Sequence, residues 1–176
     1  MVQPTKLFWK AVKHVLRYLK GTSQYGLWYK WTEGVKLQGF TDANWVGSPL
    51  DRKSTSSGIF NLGSAAVSWY SKKQRWVALS TVVDEYMAAS QVACEAIWMQ
   101  KILVDLFDQR MYPTVIYCDN QSCIKLSENL VFHDRSKHID IRCHFVRDCV
   151  QRGAVQLSYT PIGEKLADIL TNALGK

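Results

Sequence analysis

The order of periodic segments along this chain predicts an α/β domain built on a mixed sheet. Three observations carry that prediction: strand-like runs come first with short turns between them, a long uninterrupted helical pattern follows, and strands and helices then alternate. That order is expected when an antiparallel meander continues into crossover connections. At 176 residues the chain can bury one sizeable core and is too short for two large ones. Its 47% apolar content, with seven Trp and eight Tyr, is that of an ordinary globular protein.

Taken in order, Thr5 to Lys20 repeats apolar residues at Phe8, Val12, Val15, Leu16 and Leu19, with Thr5 as N-cap and Gly21 as the stop. Lys6, Lys10, Lys13, Arg17 and Lys20 recur on the other side, so this is a basic amphipathic helix. Its basic face reads equally as a solvated surface or as a surface lying along a polyanion. The runs YGLWYKW, VKLQGFTDAN, GIFNLG and AAVSWYSKK then read as strands. Ser80 and Thr81 introduce the long helix, which has no Gly or Pro through VVDEYMAASQVACEAIWMQKILVDLF. TVIYC reads as a short buried strand ending at Asp119, with a helix from about Asn120. A further helix is expected from about Ser136 to Arg152, with Ile141, Phe145 and Cys149 on one face and Gly153 as its stop. The strand AVQLSYTP and a final helix, EKLADILTNAL, close the chain.

Twenty-two Lys and Arg against fifteen Asp and Glu give a net charge of +7, the footprint of a chain that meets a polyanion. Five cysteines (Cys94, Cys118, Cys123, Cys143 and Cys149) form no CxxC pair, which favours reduced thiols over a disulfide framework. No signal-peptide pattern opens the chain and no apolar run reaches the roughly 18 residues of a membrane span. The expectation is a soluble, intracellular protein without a membrane partner.

Four acids stand where acids are informative. Asp42 falls near a strand end, where a turn Asp is the commoner reading. Glu85 lies early in the long helix with Ala88, Ala89 and Val92 on its own stripe. There a carboxylate points at the sheet or simply faces the helix dipole. Asp119 follows a buried strand at the carboxyl edge where open α/β sheets gather ligands, or it caps the next helix. Asp168 lies beside the apolar set Leu166, Ile169, Leu170 and Leu174, off their stripe, and alone it reads as a surface acid. What tests these alternatives is whether one fold brings all four together.

The runs GFTDANWVGSPLDRKSTSSG, VSWYSKKQ, VALSTVVDEYMAAS, EAIW, IYCDNQSCIKL, KHIDIRCHFVRD and LADILTNAL resemble the ribonuclease H domain of Ty1/copia-type LTR retrotransposon Pol polyproteins. The opening PTKLFWKAVKHVLRYLKGTSQYGLWY is similar to the segment joining the reverse transcriptase to that domain. The resemblance implies residues 1–34 as a basic helix and hairpin segment linking to a reverse transcriptase, and 35–176 as the ribonuclease H domain. It implies the ribonuclease H-like fold, a mixed five-stranded sheet with helices packed against it. Carried over by motif, it implies a D-E-D-D site of Asp42, Glu85, Asp119 and Asp168, acting both as catalytic residues and as metal ligands. Two Mg²⁺ ions per site, with Mn²⁺ substituting, would be held by these hard oxygen ligands and would relieve charge on the attacking and leaving oxygens.

The implied activity is hydrolysis of the RNA strand of RNA·DNA hybrids, leaving a 5′-phosphate and a 3′-hydroxyl, in cytoplasmic virus-like particles. Hybrid contacts are expected from a turn of Arg52, Lys53, Ser54, Thr55 and Ser56, and from Lys72, Lys73 and Arg75 beside Trp69, Tyr70 and Trp76. The chain departs from the family pattern at Asn44 in the usual D-A-D-W run, at Val82-Val83-Asp84 in T-T-E-A-E-Y, at Ser57-Gly58 in S-T-S-G-Y and at Asn172 in I-L-T-K. None of the departures removes one of the four acids. The loop before Asp168 carries no His where many cellular ribonucleases H have one, so proton transfer to assist product release is expected to be slow or to fall to another group, such as Glu164. The main rival reading is a repurposed, non-catalytic module that binds nucleic acid or protein. A zinc module of His133, His138, Cys143 and His144 is disfavoured, because three of the four fall in one expected helix.

Overall fold

The computed structural model describes residues 5–31, 34, 36–47, 51–108, 112–128 and 145–172. Its sheet has five strands: β1 (Leu37–Asn44), β2 (Thr55–Leu62), β3 (Ala65–Lys73), β4 (Thr114–Cys118) and β5 (Val155–Tyr159). Their order across the sheet is β3-β2-β1-β4-β5. β1, β2 and β3 form the antiparallel meander, while β4 runs parallel to both β1 and β5. The expected mixed five-stranded α/β architecture is therefore present.

α1 (Lys6–Gly21) is capped as its sequence requires, Phe8 N donating to Thr5 Oγ1 at 3.3 Å, yet none of its residues is buried. The long helix α2 (Thr81–Phe107) starts at Ser80, whose hydroxyl accepts from Val83 N, and ends at Asp108 in the left-handed region. Ala88, Ala89, Val92, Ala93 and Ala96 are fully buried, and these small side chains let α2 lie close over the sheet. Gly39 marks the closest approach, since a Cβ there would stand 3.2 Å from Val92 Cγ1 and 3.3 Å from both Ile116 and Phe60. Phe60, Tyr86, Ile116, Val146 and Leu157 complete one continuous core. α3 (Gln121–Glu128) and α4 (Phe145–Gln151) pack against α2, and Gly153 at φ +66° stops α4 as expected. No helix among the described residues is long and apolar enough to cross a membrane.

The structure corrects three expectations. YGLWYKW is not a strand: its segment lies against the β2–β3 turn, with Tyr29 Oη donating to Ala66 O at 2.6 Å and Lys30 N to Ser64 Oγ at 2.8 Å. Thr55 and Ser56 belong to β2, so the turn expected over 52–56 ends at Ser54. The described part of the final helix is two short 3-10 turns, Ile162–Glu164 and Leu166–Leu170, with Lys165 between them, while its expected end at Ala173 and Leu174 lies outside the described residues. The first part of the helix expected from Ser136, including Ile141, and the zinc candidates His133, His138, Cys143 and His144 all lie outside the described residues.

Candidate active site

Parallel pairing of β1 with β4 matches Gln38 to Val115, Gly39 to Ile116 and Phe40 to Tyr117. Two residues further along that register Asp42 and Asp119 come abreast at the carboxyl edge. Asp42 is thus no turn residue: it lies inside β1 and is 3% exposed. Asp119 does not cap α3 either, because Asn120 does so, its Oδ1 accepting from Cys123 N at 2.9 Å. The first turns of α2 carry Glu85 over the same edge, where its Oε1 accepts from Ala43 N at 3.3 Å. Glu85 is 7% exposed and its Oε2 has no hydrogen-bond partner.

A fourth side chain joins these three carboxylates, and it is a lysine. Lys165, 6% exposed, donates to Asp42 Oδ1, sits 2.8 Å from Asp119 Oδ1 and lies 3.6 Å from Glu85 Oε1. Burial acts to lower its pKa, but Glu85, Asp119 and Asp42 outweigh burial and hold the ammonium above its ordinary range. Burial also pushes the Glu85 carboxyl up to about 9; Lys165 opposes this, while Cys118, Asp119 and Asp42 add to it. Glu85 therefore carries a proton at neutral pH in the ion-free site.

Asp168 stands apart from that group. It is half-buried, and its Oδ1 accepts from Asn172 Nδ2 at 2.6 Å. Its link to the cluster is Thr171, whose hydroxyl donates to Asp42 Oδ2 and lies 3.1 Å from the Asp168 carbonyl. Asn44, the departure in the D-A-D-W run, ties down this end by donating to Thr171 O at 3.2 Å and Asn172 Oδ1 at 3.1 Å.

The residue types present fit a hard divalent ion. Glu85, Cys118 and Asp119 each offer a ligand atom within 4.8 Å of the others, and the Lys165 ammonium already stands as a cation among the carboxylates. Cys118 is a softer donor than its neighbours. Its thiol is drawn below its ordinary range chiefly by the hydrogen bond with Cys123, against the effect of burial.

The residues expected to meet nucleic acid divide by exposure. Arg52, Lys72, Lys73 and Arg75 are exposed, whereas Lys53 and Thr55 are half-buried. Lys73 pairs with Asp51 at 2.7 Å. Ser54 and Ser56 are buried and so are corrected from surface contacts to internal supports. Ser54 Oγ accepts from Val46 N at 3.1 Å, while Ser56 Oγ accepts from Gln74 Nε2 at 2.8 Å. Gln74 also donates to Asp84 Oδ1 at 2.6 Å, so this network fastens the end of β3 to the start of α2. Beside it Lys72, Arg75, Trp76, Met87 and Gln91 line a shallow recess.

Sequence reasoning missed Lys165, Thr171 and the pairing of Asp84 with Gln74. A lysine in a polar loop gives no signal of its own. The clue available was position, because the loop after β5 returns to the carboxyl edge where Asp42 and Asp119 end.

A parallel β1-β4-β5 edge with a buried carboxylate cluster, on a sheet of this order under one long helix, defines a ribonuclease H-like domain. LC11-RNase H1, isolated from compost, has the same fold with a TM-score of 0.58 at 16% identity, covering 78% of this chain and 93% of that one. No family model matches the chain. It is 40% identical over all 176 residues to the Retrovirus-related Pol polyprotein from transposon RE2 of Arabidopsis thaliana. It is 41% identical over 172 residues to that from transposon TNT 1-94 of Nicotiana tabacum, 97% of this chain. The chain belongs to the Ty1/copia-type retrotransposon Pol family, within which it is the ribonuclease H-like part. It spans 12% and 13% of the lengths of those two relatives.

Proposed function

We propose that this chain is a divalent-metal-dependent endoribonuclease that cuts the RNA strand of RNA·DNA hybrids, as the ribonuclease H unit of a retrotransposon polyprotein acting beside its reverse transcriptase. The observation that supports it best is the convergence of Asp42, Glu85 and Asp119 at one strand edge around a cationic centre. Isolated carboxylates are not buried together in this way without a cation to hold them.

Bound Mg²⁺, or Mn²⁺ in its place, would relieve charge on the attacking and leaving oxygens and make water nucleophilic near neutral pH. Asp42, Glu85 and Asp119 are the residues that would hold it, with Asp168 completing the set from its neighbouring turn. To serve as a ligand Glu85 would have to be ionised, against the burial that raises its carboxyl to about 9. Lys72, Arg75 and Trp76 give the hybrid backbone a charged and aromatic seat beside α2, and Arg52 extends that surface. Recognition would follow shape and the 2′-hydroxyl, with little reading of base sequence. Residues 1–34 serve as the connection to the polymerase, consistent with an α1 that buries none of its residues on this domain. The working location is the cytoplasmic particle of the element.

A hybrid labelled on each strand in turn tests the reading. RNA-strand cuts ending in 5′-phosphate and 3′-hydroxyl, dependent on Mg²⁺, are expected. A second reading rests on Lys165: with three acids already meeting a lysine, the domain would bind hybrids as a non-catalytic module. That reading requires salt-sensitive binding that is indifferent to Mg²⁺ and produces no cuts.

A further inference from the structure

The acid cluster already contains a cation of its own. Lys165 is carried by the loop after β5, and its Nζ meets two carboxylates at contact distance, Asp42 and Asp119, with Glu85 Oε1 further off at 3.6 Å. A buried ammonium persists only where it is paired, and here the pairing is complete. An ammonium is a compact point charge, so among oxygens it fills the role of a small metal ion.

The ligand atoms left over are unevenly distributed. Both oxygens of Asp42 are engaged, Oδ1 by Lys165 and Oδ2 by Thr171. Asp168 has one oxygen on Asn172. Glu85 Oε2, by contrast, is buried without a partner, and Glu85 and Asp119 offer ligand atoms within 4.8 Å of each other together with Cys118. One ion can therefore enter between Glu85 and Asp119 with Lys165 in place. An ion on the Asp42 side cannot enter without breaking the Asp42–Lys165 pair.

We propose that Lys165 is the resident cation of this site, holding the position between Asp42 and Asp119 that a second divalent ion would take. The free chain then binds one ion, and the second enters only when Lys165 is withdrawn. Phosphates of an incoming hybrid are the groups with the charge to draw it out, which couples full metal loading to substrate. The inference rests on the nuclease reading above and adds to it a residue that sets the ion count.

The test counts Mn²⁺ ions on the folded chain, without substrate, by calorimetric titration and by electron paramagnetic resonance of free Mn²⁺. The wild type is expected to bind one. Lys165→Met is expected to bind two, with the affinity for the first raised on the order of tenfold or more as a competing charge at contact distance is removed. In chelator Lys165→Met is expected to melt well below the wild type, and Mg²⁺ is expected to raise its Tm far more. Because Lys165→Met leaves carboxylates facing one another, a second comparison sets Asp42→Asn against Asp42→Asn with Lys165→Met. The double variant must bind its ion more tightly. Equal counts and affinities with and without Lys165 would overturn the inference while leaving the nuclease reading intact. Failure of every chain to bind Mn²⁺ would overturn both.

Discussion

Asp84 offers a sharp test of the electrostatics beneath the site. It is 0% exposed, one residue before Glu85, with Gln74 Nε2 2.6 Å from its Oδ1. Burial is the largest influence and raises its carboxyl from 3.8 to about 6; hydrogen bonds from Ser54 and Gln74 oppose the rise and Asp42 adds to it. Between those values the folded chain holds the proton more firmly than the unfolded chain does. Stability therefore falls as pH rises through the window, and the loss is complete above about pH 6. At 1.36 kcal/mol per unit the separation corresponds to about 3 kcal/mol. Asp84→Asn keeps an oxygen for Gln74 and removes the charge, so the variant escapes this loss. Urea unfolding in chelator, followed by Trp fluorescence, should show the stability of Asp84→Asn relative to wild type improving by about 2–3 kcal/mol between about pH 4 and pH 7.5. A difference that stays flat across that range, or that changes in the opposite direction, would refute the assignment of a desolvated carboxylate at this position.

Three further outcomes follow from the same geometry. A Cβ on Gly58 would stand 2.6 Å from Tyr70 Cε1 and 2.8 Å from its Cζ, so Gly58→Ala should cost about 1–3 kcal/mol through displacement of the ring, read as a lowered Tm. Because burial holds the Glu85 carboxyl at about 9 in the ion-free chain, Mn²⁺ binding near neutral pH should release a proton and tighten as pH rises toward that value. Calorimetry in two buffers of different ionisation heat counts that proton, and a count of zero would contradict the protonated Glu85. Lys72→Ala and Arg75→Ala should each lower the slope of log affinity against log salt for an RNA·DNA hybrid by about 1. An unchanged slope would take the recess beside α2 out of the substrate path.

The layered fold was legible because its elements rest on local signals, whereas local signals left Asp42, Glu85 and Asp119 open and it was the family resemblance that singled them out. The period of α2, the Ser80 cap and the apolar run Val115-Ile116-Tyr117-Cys118 fix elements whose ends then fix Glu85 and Asp119. The segment 25–31 was misread because alternating aromatics look like a strand whether or not a sheet edge accepts them; here Tyr29 bonds the Ala66 carbonyl at the start of β3, and Lys30 meets only the Ser64 hydroxyl of the β2–β3 turn. The last helix was misread for a related reason. Leu166, Ile169 and Leu170 carry helical spacing, but Thr171 and Lys165 are both tied to Asp42, and the chain between them takes the tighter 3-10 form. Lys165 itself was invisible because its partners Asp119, Glu85 and Asp42 lie far from it along the chain, the most distant 123 residues away. Only the parallel β1-β4-β5 edge brings them to it.

The most direct test of the central claim is cleavage of a labelled RNA·DNA hybrid by the wild-type chain and by Asp119→Asn, each with Mg²⁺, with Mn²⁺ and with chelator. The account predicts metal-dependent cutting of the RNA strand alone, abolished in Asp119→Asn while the variant still folds and binds the hybrid. Absence of cutting by the wild type with either metal, alongside intact salt-sensitive hybrid binding, would contradict it.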